Sequence, residues 1–223
     1  MSYLPQIDFS NDYTMLNELL RMLYRFYPIG VEGMKNDYYE GFTEIKERLI
    51  DKLENQLNNP VSLCYLLEDA LQKAFPESKI ENQNYYQFPS YTFSLQLSEF
   101  ENDAIKVTTN LVMHISLLVD HYTLYFETVS YPKIEGKIAS SFSIQFLDGS
   151  TNKMDIVNKT KQILSVVCPN KSYINHYLLK KNTITAGTPF GAVEDIRVKR
   201  NYTLFDFLFS NNEQDAGHLD ILP

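Results

Sequence analysis

The sequence predicts an α+β fold: an N-terminal helical segment of about three helices, then an antiparallel β-sheet of four or more strands with one further helix. Three observations predict it. Apolar residues recur every three or four positions through the first 76 residues, and the period falls to two between about Tyr85 and Leu147. A second helical period follows Asp148-Gly149. Helices first and strands afterwards, rather than in alternation, favour α+β over a parallel α/β sheet. The chain is read as a single domain over 1–223, with a helical sub-lobe (1–80) and a sheet-rich one (81–210).

The first helix rests on the stripe Leu16, Leu19, Leu20, Leu23 and Tyr27, and Pro28 stops it. After a loop with Gly30 and Gly33, a second stripe runs through Tyr39, Phe42, Ile45, Leu49, Ile50, Leu53 and Leu57. Glu44, Lys46, Glu47, Arg48 and Lys52 are assigned to its wet side. Asn59 is the expected N-cap of a third helix, with Pro60 at the first helical position, where a missing N–H costs nothing. Leu63, Cys64, Leu67, Ala70, Leu71 and Ala74 line that helix. Short loops favour antiparallel neighbours among the three.

Strict alternation in Tyr91-Thr92-Phe93-Ser94-Leu95-Gln96-Leu97-Ser98 marks a half-buried strand, and Pro89 before it implies a bulge or an edge position. Asn102-Asp103 turns the chain into a long strand, Ile105 to Val119, with Leu111, Met113, Ile115, Leu117 and Val119 on one face. Asp120-His121 offers a turn without the glycine that a primed turn prefers. Tyr122, Leu124 and Phe126 then share one face, with Tyr125 and Val129 on the other. Lys137 to Leu147 gives a fourth strand with Ile138, Phe142, Ile144 and Phe146 inward. Ser150, Thr151 or Asn152 is expected to cap a helix striped by Ile156, Ile163, Leu164 and Val167. Tyr173 to Lys181 reads equally as strand or helix, and Thr183 to Arg200 as extended chain broken at Gly187–Gly191.

Composition narrows the function classes. Lysine and arginine number 20 against 28 acids, a formal charge of −8, which repels phosphate backbones and argues against nucleic acid as a partner. Sixteen tyrosines and 14 phenylalanines without tryptophan suit strands and also interfaces, since tyrosine pairs a flat apolar body with a polar tip. The N-terminus lacks a basic region followed by an apolar run, and no apolar stretch approaches the roughly 20 residues of a membrane span. A cytoplasmic location follows as an expectation, and Cys64 and Cys168 are then reduced packing residues.

Catalytic signatures are absent from the sequence. The four histidines, His114, His121, His176 and His218, show neither HExxH nor zinc spacing, so no metal or cofactor is expected. Asp120 and His121 would point to opposite faces if the strand continues through them. Gly187–Gly191 lacks the Gly-Lys-Ser/Thr of a phosphate loop, and the helical carboxylates near Glu44 sit among lysines and arginines as an ion-pair face. Asp206, between Phe205 and Phe207, either faces water or a basic partner, or is buried beside a donor, with Arg197, Lys199 and Arg200 upstream as companions.

The expected function is therefore a surface: a soluble, non-catalytic protein that binds another protein. Its general character is similar to small acidic bacterial toxin-neutralising proteins, which implies an immunity- or antitoxin-like inhibitor that occludes a basic protein partner. Aromatic anchors with complementary charge nominate Asp37, Tyr38, Tyr39 and Glu40 near the second helix, and Tyr122, Tyr125 and Glu127 on the sheet. Two alternatives stand beside it. One is a structural or assembly subunit docking through Tyr202–Phe209, and the other is a hydrolase whose dispersed site uses His121 or His176 with acids.

Overall fold

A computed structural model describes residues 9–30, 36–59, 61–84, 88–134, 137–138, 141–145, 147, 153–184, 187–192 and 201–210. Three helices come first, α1 (Phe9–Phe26), α2 (Glu40–Asn58) and α3 (Leu63–Ala74), with a single 3₁₀ turn at Asn36–Tyr38. Strands β1 (Ile80–Asn82), β2 (Ser90–Glu101), β3 (Ile105–Ser116), β4 (His121–Ile134), β5 (Lys137–Ile138) and β6 (Ser141–Gln145) follow, then α4 (Met154–Val167). The α+β class holds, helices before sheet.

The sheet has seven strands in the order β1-β2-β3-β4-β5, with β6 and the short β7 (Ser172–Tyr173) also paired to β4. It is not purely antiparallel as expected, because β7 runs parallel to β4, His121 opposite Ser172 and Tyr122 opposite Tyr173. The reason lies in α4, which lies between β6 and β7 and supplies the crossover that a parallel pair requires. At its core the sheet is a meander of long hairpins. Asn102 turns the first of them, its side-chain oxygen accepting from the N–H groups of Ala104 and Ile105 at 2.8 and 2.9 Å.

Alternation along the strands creates two cores, one on each face. Phe93, Leu95, Leu111, Met113, Ile115, Tyr122, Leu124 and Phe126 face α3 and α4 through Leu67, Leu71, Val157 and Leu164. Val112 and Tyr125 face the opposite layer, built from α1, α2, α5 (His176–Lys181) and α6 (Leu204–Leu208); this is the first core, and the one against α3 and α4 is the second. The N-terminal helices thus do not all pack as neighbours. Helix α1 pairs with α2, while α3 pairs with α4 on the far side of the sheet. Segments 183–184 and 202–203, β8 and β9, form a separate two-stranded ribbon beside α6.

Several local expectations change. Asn59 ends α2 as its C-cap instead of starting α3, whose N-cap is Ser62, and Pro60 lies outside the described residues. Lys52 is buried, not wet. Pro89 immediately precedes β2, an interior strand; the register break falls later, between Gln96 and Ser98. Strand β3 ends at Ser116, so Leu117 and Val119 leave the face of Ile115 and join the opposite core. Lys153 is the N-cap of α4, and the expected caps at 150–152 lie outside the described residues. Ile144 is half-buried against the first core, whereas the side chains of Ile138, Phe142 and Phe146 are not among those described. The ambiguous segment after Lys171 uses both readings, strand at Ser172–Tyr173 and helix at His176–Lys181.

The α1–α2 contact depends on a glycine. A Cβ at Gly41 would come within 2.7 Å of the Phe26 Cα and run into the Arg25 carbonyl oxygen. Only a residue without a side chain lets the two backbones approach this closely. Gly41→Ala should lower stability by about 1–3 kcal/mol, because overpacking against backbone outweighs the ~1 kcal/mol gain in helix propensity. A fall in the urea midpoint at constant slope checks this.

Candidate functional site

On the face of α1 and α2, the sheet carries polar residues beyond the reach of the helices. There Gln96, Glu99, Lys106, Asn110, Glu127 and Tyr131 line part of a groove of about 530 Å³. Its charges are largely matched among themselves. Glu99 accepts from Lys106 at 3.1 Å and from the Gln96 amide at 2.9 Å, and Lys79 meets Glu81 at 2.6 Å. Those hydrogen bonds from Lys106 and Gln96 hold the Glu99 carboxyl below its usual range. Exposed pairs of this kind contribute little to stability, and they leave the groove without a dominant charge.

The inner end of the groove is a buried imidazole. His114 Nδ1 lies 3.1 Å from the Thr92 hydroxyl and 3.4 Å from that of Ser90, and its Nε2 lies 3.2 Å from the Tyr125 hydroxyl. Burial pushes His114 down to about 3, with the Lys180 and Lys52 ammonium groups adding to it. The Tyr125 ring meets both imidazoles: His176 stacks on it at 4.0 Å, and the His114 ring lies 5.7 Å away. Burial lowers His176 in the same way. His114 is four per cent exposed and His176 is fully buried.

His121 is half-buried, its Nδ1 2.8 Å from the Ser172 hydroxyl. The two residues are directly opposite each other across β4 and β7, so their contact follows from strand register. Beside them Lys171 Nζ donates to the carbonyls of Ser116 and Val119 at 2.8 Å each, closing the β3–β4 loop. Among the described residues, no group of three or more His, Cys, Asp or Glu side chains is placed to hold a metal ion. Nor, among them, is any helix long and apolar enough to cross a membrane.

The nominated contact residues divide into two groups. Asp37, Tyr38 and Glu40 are exposed at the junction of the 3₁₀ turn and α2, where Asp37 pairs with Lys46 at 2.7 Å. Tyr39 is half-buried, its hydroxyl donating to the Tyr24 carbonyl of α1. On the sheet, Glu127 lines the groove, but Tyr122 and Tyr125 are buried in opposite cores. The expectation that both rings are surface anchors is corrected: alternation sends each inward because helices cover both faces of β4. Sequence reasoning also missed Tyr13 and Tyr24, which share the outer stripe of α1 and are 70% and 55% exposed, close to Tyr38 at 79%. Their helical spacing, offset from the stripe of Leu16, Leu19 and Leu23, was the available signal.

Lys52 and the cysteines are also buried titratable groups. Desolvation lowers Lys52 to about 8, and its ammonium donates to the Ser90 carbonyl at 2.7 Å, tying α2 to the start of β2. Burial pushes the Cys64 and Cys168 thiols up to about 11. Both cysteines are free and buried. Native protein at pH 8 should react with a disulfide reagent on the order of a hundredfold more slowly than a free thiol, since so little thiolate is present. Equal rates before and after denaturation would contradict this. No protein-family model matches the chain, and neither the curated proteins nor the solved structures yield a match.

Proposed function

We propose that this chain is a cytoplasmic, non-catalytic protein-binding protein, an immunity- or antitoxin-like inhibitor that acts by occluding a basic protein partner and does not bind nucleic acid. The observation that carries the reading is the tyrosine-bearing surface of α1 and α2. Tyr24 and Tyr38 stand on either side of the Tyr39–Tyr24 hydrogen bond, with Tyr13 farther along the same helix stripe. Asp37 and Glu40 lie within this surface, and the chain as a whole carries a charge of −8. Tyrosine offers a large contact area for few rotatable bonds, so binding through it loses little side-chain freedom. Net acidity would speed encounter with a basic partner.

The assembly alternative draws less support. Tyr202–Phe209 is built into the fold, with Leu204, Phe205, Phe207, Leu208 and Phe209 all buried. The outer part of β2 carries Glu99 and Glu101, with Lys106 and Lys133 paired to them, a charged edge of the kind that discourages strand addition.

Capture by tagged full-length protein from its host should recover one basic protein at near-equal abundance. Tyr38→Ala and Tyr24→Ala should each weaken that complex by about tenfold or more while the circular dichroism stays unchanged. Added salt should slow association more than it speeds dissociation. Capture of no stoichiometric partner, or variants that bind like the wild type, would overturn the reading.

A further inference from the structure

The two cores differ in what acid can do to them. The second core buries Cys64, Cys168 and Tyr122, with Tyr91 and Tyr173 at its margin, side chains that are neutral from pH 7 downward. The first core encloses both buried imidazoles. His114 and His176 both lie against Tyr125, and Phe205 of α6 stands edge-on to both, at 5.0 and 4.7 Å.

Both imidazoles already stand near positive charge. Lys180 of α5 lies 4.3 Å over the Phe205 ring, and the Lys52 ammonium of α2 also disfavours a charge on His114. The α6 carboxylate, Asp206, is already committed: it accepts from the Thr203 N–H at 2.6 Å and meets Lys180 at 3.6 Å. Glu127 lies farther along the Tyr125 face of β4, in the groove, and the Tyr27 hydroxyl of α1 donates to the Phe207 carbonyl at 2.8 Å. The hydroxyls of Ser90 and Thr92 meet His114 only on the Nδ1 side.

Helix α6 is also the joint between the layers. Ser116 of β3 donates to the Leu208 carbonyl at 2.7 Å, and Tyr27 holds Phe207 from α1. A proton on either imidazole acts at the contact that fixes α6 to the sheet.

We propose that acidification opens one layer only: protonating His114 and His176 releases α5 and α6, and with them α1 and α2, from a sheet that remains folded on α3 and α4. In the closed form both imidazoles are held neutral by burial, His114 down to about 3. In the open form they are hydrated and titrate near their ordinary value of about 6.5. The open form therefore binds more protons as pH falls below about 6.5, and the stabilisation is complete above it. The ratio of open to closed forms rises about tenfold per pH unit for each histidine, about a hundredfold for the pair.

Hydrogen exchange read by mass spectrometry on the full chain, corrected for intrinsic rates between pH 7.5 and 4.5, tests this. Protection should be lost first in α1, α2, α5 and α6, and retained in β2, β3, α3 and α4. His176→Phe keeps the ring without the charge, and His114→Gln keeps a hydrogen-bonding side chain; each should reduce the pH dependence by about tenfold per unit. Glu44, which bridges Arg25 and Arg48 in the same layer, provides the control, and Glu44→Gln should leave the slope in place. Should either histidine variant fail to fold, the order of loss in the wild type decides. Simultaneous loss in both layers, histidine variants with an unchanged slope, or a slope abolished by Glu44→Gln would overturn the proposal.

Discussion

The short helix α6 is wedged between α1 and the sheet, and most of the first core is organised around it. Phe205, Phe207 and Phe209 are fully buried in a space of five residues, each contributing roughly 1.5–3 kcal/mol of burial. A five-residue helix cannot sustain itself, because nucleation fixes several dihedrals for each hydrogen bond gained. This one is held by a capping box, Thr203 with Asp206, by the Lys180 ion pair, and by carbonyl bonds from Tyr27 and Ser116. The last two satisfy C-terminal carbonyls that the helix cannot use internally.

That wedge lets one sheet carry helices on both faces. Each long strand is buried twice, so its alternation separates two apolar sets rather than an apolar and a wet one. Val112 belongs to one core and Met113 to the other, and Tyr125 and Phe126 divide in the same way. Polar side chains stranded on the first face pair with one another where helices cover them, as His114 does with Thr92 and Tyr125. Where the helices stop, the face becomes a groove of matched ions.

The surface left for recognition is what the two cores do not consume. Tyr122 and Tyr125 are consumed. Tyr13, Tyr24 and Tyr38 are not, because α1 and α2 turn their apolar stripes toward the sheet and the Gly41 contact locks their relative position. The binding surface and the acid-sensitive core thus share a layer, while the core that the sheet forms with α3 and α4 contains no buried imidazole among the described residues.

Periodicity in the sequence was enough for the α+β class, the three early helices, the β2–β3 and β3–β4 hairpins and the division of Tyr122 from Tyr125 across β4, because side-chain period is a local property of backbone geometry. Only tertiary structure decided which face α3 would take, that β7 would pair parallel to β4, and that Lys52, Tyr122 and Tyr125 would be buried. Each of these depends on what lies across the sheet, on residues tens of positions away, and a window of local sequence carries no record of that partner. Asp206 shows the same limit at one residue: flanked by phenylalanines it reads as an anomaly, and it becomes intelligible once Thr203 and Lys180 are beside it.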